Sequence, residues 1–333
     1  MHNENDCYNE TDFMEANSVK PENAWEIWYN DSEVFVLDEK EAMQGTVKKS
    51  GRGHFLCEKV PRLVMTVGAY LISLTFPLVG TFAAAFSQFV LPPFDRAIGE
   101  KLAIALSAFL LVWLHKRWFA PDYEGSMRIH VPYGDILRWS VPLWVCLGCC
   151  VPIEAFARGE FHFHLTFAMA ALCLCAGFLE EAVYRAFIVS IGMRYLSGKN
   201  RVWWTLGISA GVFAFAHAAN VLAGAAVDLT IFQIISCVPF GLYAAAITLR
   251  SGSFLPAAVL HTLFDIIAMG TTPGIDDGIM RGTIGWSDFV SAGLEYIFLA
   301  AFSFWLVKTY QTEILVLWEK KWSMVQEKME ENS

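Results

Sequence analysis

Phe178-Leu179-Glu180-Glu181-Ala182-Val183-Tyr184-Arg185 is an apolar helical stretch interrupted by three charges. It lies within a hydrophobic run, 163–192, that is long enough to cross a membrane. Ionisable side chains at bilayer depth are costly, and they face the protein interior or water where they occur, typically at functional sites. Two later apolar runs each carry a histidine, His217 and His261. This chain therefore reads as a membrane protein with acid–base groups drawn into its interior.

Composition agrees. Of 333 residues, 55% are hydrophobic and 17% are charged, against about 25% charged in soluble domains. The net charge of −9 comes largely from a tail: residues 1–45 hold twelve acids against two bases, Lys20 and Lys40. No basic tract suits nucleic acid. Cys146, Cys149, Cys150, Cys173, Cys175 and Cys237 lie in apolar runs and read as small buried hydrophobes. The first apolar run begins near residue 63, after the polar tail, so no cleavable signal peptide is expected.

A spanning helix needs about 20 apolar residues. Eight segments qualify: 63–92, 101–119, 136–155, 163–192, 202–224, 228–249, 253–270 and 288–308. The expected fold is all-α, a polytopic membrane protein with about eight transmembrane helices enclosing an intramembrane polar site. Residues 1–60 read as an acidic cytoplasmic tail, partly disordered. Residues 61–310 form the transmembrane domain, and 311–333 an amphipathic cytoplasmic helix. With the N-terminus inside, Lys116, Arg117, Arg128, Arg138, Arg194, Lys199, Arg201, Arg250 and Lys308 fall in inner loops, as the positive-inside rule requires. Both termini are then cytoplasmic. Gly207-x-x-x-Gly211 predicts a close helix approach in the fifth span.

Glu181 and Arg185 are four residues apart, so one helix face carries both, in the favourable order for an ion pair. Glu180 points about 100° away and is left as a free carboxylate, a competent base for water. His217 closes Phe213-Ala-Phe215-Ala-His217, with Asn220 one turn on. His261-Thr-Leu-Phe-Asp265 places a carboxylate where it can orient the imidazole. Counted from the inner ends of their spans, Glu180, His217 and His261 fall about 13–21 Å deep.

Together these three motifs resemble the CPBP family of intramembrane proteases, which includes type II CAAX prenyl endopeptidases and bacteriocin-processing proteins. The family pattern is Glu-Glu-x-x-x-Arg, then Phe-x-x-x-His, then His-x-x-x-Asn or Asp, and all three occur here in order between 163 and 270. The resemblance implies an intramembrane endopeptidase acting on a membrane-tethered protein or peptide at the cytoplasmic side. Glu180 would activate water with His217, and His261 and Asp265 would serve the oxyanion. Glu181, Arg185 and Asn220 would support them. Because an aspartate donates no hydrogen bond unless protonated, Asp265 is expected to orient His261 rather than touch the oxyanion. Whether the chemistry is that of a glutamate protease or of a zinc enzyme, with Glu180, His217 and His261 as ligands, stays open at this point. Competing readings are a non-catalytic scaffold or immunity-type protein, a proton-coupled transporter, and polar residues that only hold helices together. The topology favours a bacterial plasma membrane over the endoplasmic reticulum.

Overall fold

The computed structural model describes residues 123–222, 224–273 and 282–323, with isolated positions between 64 and 117. Among these residues all regular structure is helical. The helices are α1 (Tyr133–Arg158), α2 (Phe167–Tyr195), α3 (Arg201–Val221), α4 (Val227–Ser251), α5 (Leu255–Thr271), α6 (Trp286–Thr309) and α7 (Gln311–Lys321). Five of them, α1 to α4 and α6, are long and apolar enough to cross a membrane, while α5 is apolar but shorter. Six of the eight expected spans thus have a helix in place. The other two, 63–92 and 101–119, fall almost wholly outside the described residues, as does the acidic tail.

Local chemistry sets the helix ends. The Thr166 side chain accepts from the Met169 amide and starts α2. Gly159 ends α1 in the left-handed conformation, φ 76°, and its N–H reaches the Phe156 carbonyl. Pro256 stands in the first turn of α5, where the missing N–H costs nothing. Pro142, Pro152 and Pro239 lie inside α1 and α4.

Helix α4 is the axis of the bundle. Tyr243, Ala244, Ala245, Ala246, Ile247 and Leu249 are fully buried along it. The most extensive packing joins α3 to α4 and α5 to α2. On α2, a Cβ at Gly177 would come within 2.7 Å of the Thr262 nitrogen of α5, and one at Gly192 within 2.8 Å of the Thr205 side chain of α3. Neither Gly207 nor Gly211 has a described residue within 4 Å of where a side chain would start, so that pair does not mediate a close approach among these helices.

Between those two glycines α2 changes its winding. Ala182–Phe187 is a π-helical turn, and the Ile188 amide bonds back to the Val183 carbonyl. Such turns occur mostly singly within α-helices, often at functional sites. A second one, Tyr296–Ala300, interrupts α6.

Helix α7 docks on the end of the bundle where α2 and α4 finish. The Trp318 indole donates to the Leu249 carbonyl at 2.9 Å and Trp322 to the Ser190 carbonyl at 3.1 Å. Buried Lys321 donates to the Gly125 carbonyl at 2.7 Å, and Glu319 pairs with Arg201 at 3.0 Å. The segment before α1 closes the same end, with the His130 amide bonded to the Ser251 carbonyl.

Candidate active site

The π turn begins immediately after Glu181. Glu181 and Arg185 are both fully buried, and Arg185 Nε stands 3.0 Å from Glu181 Oε2. The approach is too oblique to count as a directed hydrogen bond, so the contact is chiefly electrostatic. Arg185 Nη2 donates to the Gly241 carbonyl of α4 at 3.3 Å. Its guanidinium carbon lies 4.5 Å from the centre of the Phe213 ring, within the range of a cation–π contact.

The second Glu181 oxygen reaches α5: Oε1 is 3.0 Å from His261 Nδ1, and because a carboxylate only accepts, the ring donates. The other ring nitrogen, Nε2, lies 3.6 Å from Asp265 Oδ2. That is ion-pair distance, longer than a good hydrogen bond. The short bond that orients His261 therefore comes from Glu181, with Asp265 more distant on the opposite side.

His217 stands where α3 tightens into a 3-10 helix, His217–Val221. Its Nδ1 is 3.1 Å from the Phe213 carbonyl. A carbonyl can only accept, so Nδ1 carries the proton and Nε2 keeps its lone pair. The Cys237 thiol of α4 lies 3.7 Å from that nitrogen. Asn220, one turn further, donates from Nδ2 to Gln233 Oε1 at 2.8 Å.

Phe213 is the hub of the arrangement. Its ring meets His217 edge-on at 5.3 Å and His261 at 5.7 Å, besides lying under Arg185. Phe240 of α4 covers the other side of His261 at 4.8 Å. Both histidines are thus held by aromatic walls as well as by polar bonds.

Glu180 differs from its neighbour. It is half-buried and makes no hydrogen bond or ion pair with the described residues. Its charge is nevertheless close enough to act on His261, Arg185 and Cys237.

The donor set does not resemble a metal centre. Among the described residues no group of three or more His, Cys, Asp or Glu side chains is arranged to hold an ion. His261 faces a carboxylate with each ring nitrogen, so Glu180 and His217 would be left with no third ligand from that ring.

Residues 162–267 match the family described as type II CAAX prenyl endopeptidase Rce1-like. Over this segment the chain is similar to that family. This segment contains all three motifs and spans α2 to α5, the helices that meet around Phe213. Comparisons with curated proteins and with solved structures gave no match. The match over 162–267 and the five apolar helices are those of an integral membrane protein, whose setting is the lipid bilayer. Sequence reasoning missed Gln233, Cys237 and Phe240 beside the segment's motifs. A signal existed for the first two, a Gln and a Cys four residues apart on an apolar helix.

Proposed function

We propose that the chain is an intramembrane endopeptidase that hydrolyses a peptide bond in a membrane-tethered protein, with substrates of the prenylated C-terminal class as the first to test. The observation that carries this reading is the contrast between the two adjacent glutamates. Glu181 is saturated by Arg185 and His261, while Glu180 makes no hydrogen bond or ion pair with the described residues and lies near Cys237, whose thiol is the weak 3.7 Å neighbour of His217 Nε2.

In this scheme Glu180 takes a proton from a water that His217 Nε2 helps to hold. The resulting hydroxide adds to the scissile carbonyl. His261, oriented by Glu181, donates its Nε2–H to the oxyanion; the 3.6 Å separation from Asp265 leaves that donor available. Collapse expels the amine, and Glu180 returns the proton to its nitrogen. Asp265 stands beside the His261 imidazole and Arg185 beside the Glu181 carboxylate, so each charge has a counter-charge at hand. No step runs through a metal.

We read the whole chain as eight spans around this site. Both termini would be cytoplasmic, and the site would open to substrates on that side of a membrane, a bacterial plasma membrane in preference to the endoplasmic reticulum. The test compares protein termini in membranes of cells expressing wild type or Glu180→Gln at matched abundance. New termini that need Glu180 would name substrate and cleavage position. Identical termini would overturn the reading in favour of a scaffold role.

A further inference from the structure

Two cross-links join α3 to α4 beside the site. One is Cys237 to His217, at 3.7 Å; the other is Asn220 to Gln233, at 2.8 Å. Helical geometry stacks them. Residues three apart in a 3-10 helix eclipse one another, so Asn220 lies along the axis from His217 by about 6 Å. Gln233 and Cys237, four apart on α4, share a face.

The lower link is a long thiol contact that a water at His217 Nε2 can displace. The upper link keeps groups to spare. Asn220 spends one N–H and Gln233 one carbonyl lone pair, which leaves the Asn220 Oδ1 acceptor and the Gln233 NH2 donor unspent. Both residues are half-buried, and neither spare group is sealed from solvent without a partner. A neighbouring acceptor and donor match the alternating N–H and C=O of an extended main chain. They do so whatever side chains that main chain carries, as a peptidase needs for a segment it must hold straight across the water-activating group.

We propose that Asn220 and Gln233 form a main-chain clamp that binds one residue of an extended peptide substrate beside the scissile bond. Asn220 Oδ1 accepts the substrate N–H, and the Gln233 amide donates to the substrate C=O. This inference rests on the endopeptidase reading above. A purely structural role, tying α3 to α4, would use the same inter-residue bond but would not recognise a peptide.

The test measures binding of a farnesylated C-terminal peptide to Glu180→Gln protein in micelles. A second probe is the same peptide with the amide preceding the scissile bond replaced by an ester, which removes one N–H. Parent protein should bind the ester at least tenfold more weakly. Asn220→Leu should weaken the amide peptide by a similar factor and show no further loss with the ester. Gln233→Met should weaken both probes alike. Equal binding of both peptides by the parent, or an ester loss that persists undiminished in Asn220→Leu, would overturn the clamp. The ester comparison on the parent needs no destabilising change. If the peptide binds with these couplings but wild type never cleaves it, the endopeptidase reading fails while the clamp stands. If no version binds the peptide, both fail.

Discussion

Glu181 bonds to His261, eighty residues further along the chain, through a 3.0 Å contact on Nδ1, while its second oxygen meets Arg185. One carboxylate thereby fixes the orientation of an imidazole on another helix and stands against a guanidinium on its own. The adjacent glutamates are divided accordingly: one is a structural anion, the other an unencumbered one.

Replacing them should give opposite signatures. Glu180→Gln should lower kcat by at least about 10²-fold and leave the melting temperature in detergent unchanged. Glu181→Gln should lower both, because breaking a buried pair from one side costs about 3–5 kcal/mol. Activity on the farnesylated peptide and a thermal melt of the same samples separate the two. Full cleavage by Glu180→Gln would mean that the base lies elsewhere.

Arg185→Met strands the Glu181 charge in a site with no exposure. Melting should fall sharply in the single variant. The double variant Glu181→Gln/Arg185→Met should recover part of the loss, since removing both charges spares their desolvation. Strict additivity of the two single effects would show that the pair is not coupled.

Phe213→Leu keeps the carbonyl that holds His217 Nδ1 but removes the ring shared by Arg185, His217 and His261. The lost ring contacts are worth about 0.5–2 kcal/mol each. We expect a modest drop in melting temperature and a larger one in kcat, as both imidazoles lose their wall. An unchanged kcat would show that ring position is set by the polar bonds alone.

Asp265→Asn removes a charge 3.6 Å from His261 but leaves the short bond to Glu181. Activity should stay within about tenfold of wild type, about 1.4 kcal/mol in the barrier. A complete loss would place Asp265 in contact with the reacting atoms.

Acid should loosen the docked end of the bundle. Burial lowers the affinity of His130 for a proton, which outweighs the opposing pull of Glu124 at 3.2 Å; Lys321, Arg128 and Lys320 lower it further. The folded protein then binds fewer protons there than the unfolded chain. This contribution is complete above the ordinary histidine range and is lost as pH falls through that range toward the depressed value. Melting temperatures taken across that window should fall for wild type and fall less for His130→Asn.

Much of this was legible in the sequence, and what was not is explained by distance along the chain. Long apolar runs foretold α1 to α4 and α6, because hydropathy alone selects a spanning helix. The proximity of Glu181 and Arg185 follows from four-residue spacing and needs no tertiary knowledge. His261 shows the limit. From spacing, Asp265 was its natural partner, yet the shorter bond goes to Glu181, which only the packing of α5 on α2 could reveal. Gly207 and Gly211 had the right spacing for a helix contact but face no described neighbour, since the pattern states which residues share a face and not which face is used. Cys237 looked like any buried cysteine of an apolar run until α4 brought it to His217.

The π turn at Ala182–Phe187 has a consequence for how this chain can change. A regular helix advances about 100° per residue, so one π turn puts the two halves of α2 out of phase. The half before it addresses α5 through Gly177, and the half after it addresses α3 through Gly192. A π turn absorbs one residue beyond regular winding. Deleting a residue in the α-helical parts between those glycines would turn one half of the helix about 100° away from its neighbour. Deleting one within the turn, after Arg185, would restore regular winding and leave both halves facing their neighbours, so this turn is the place in α2 where the chain length can change by one.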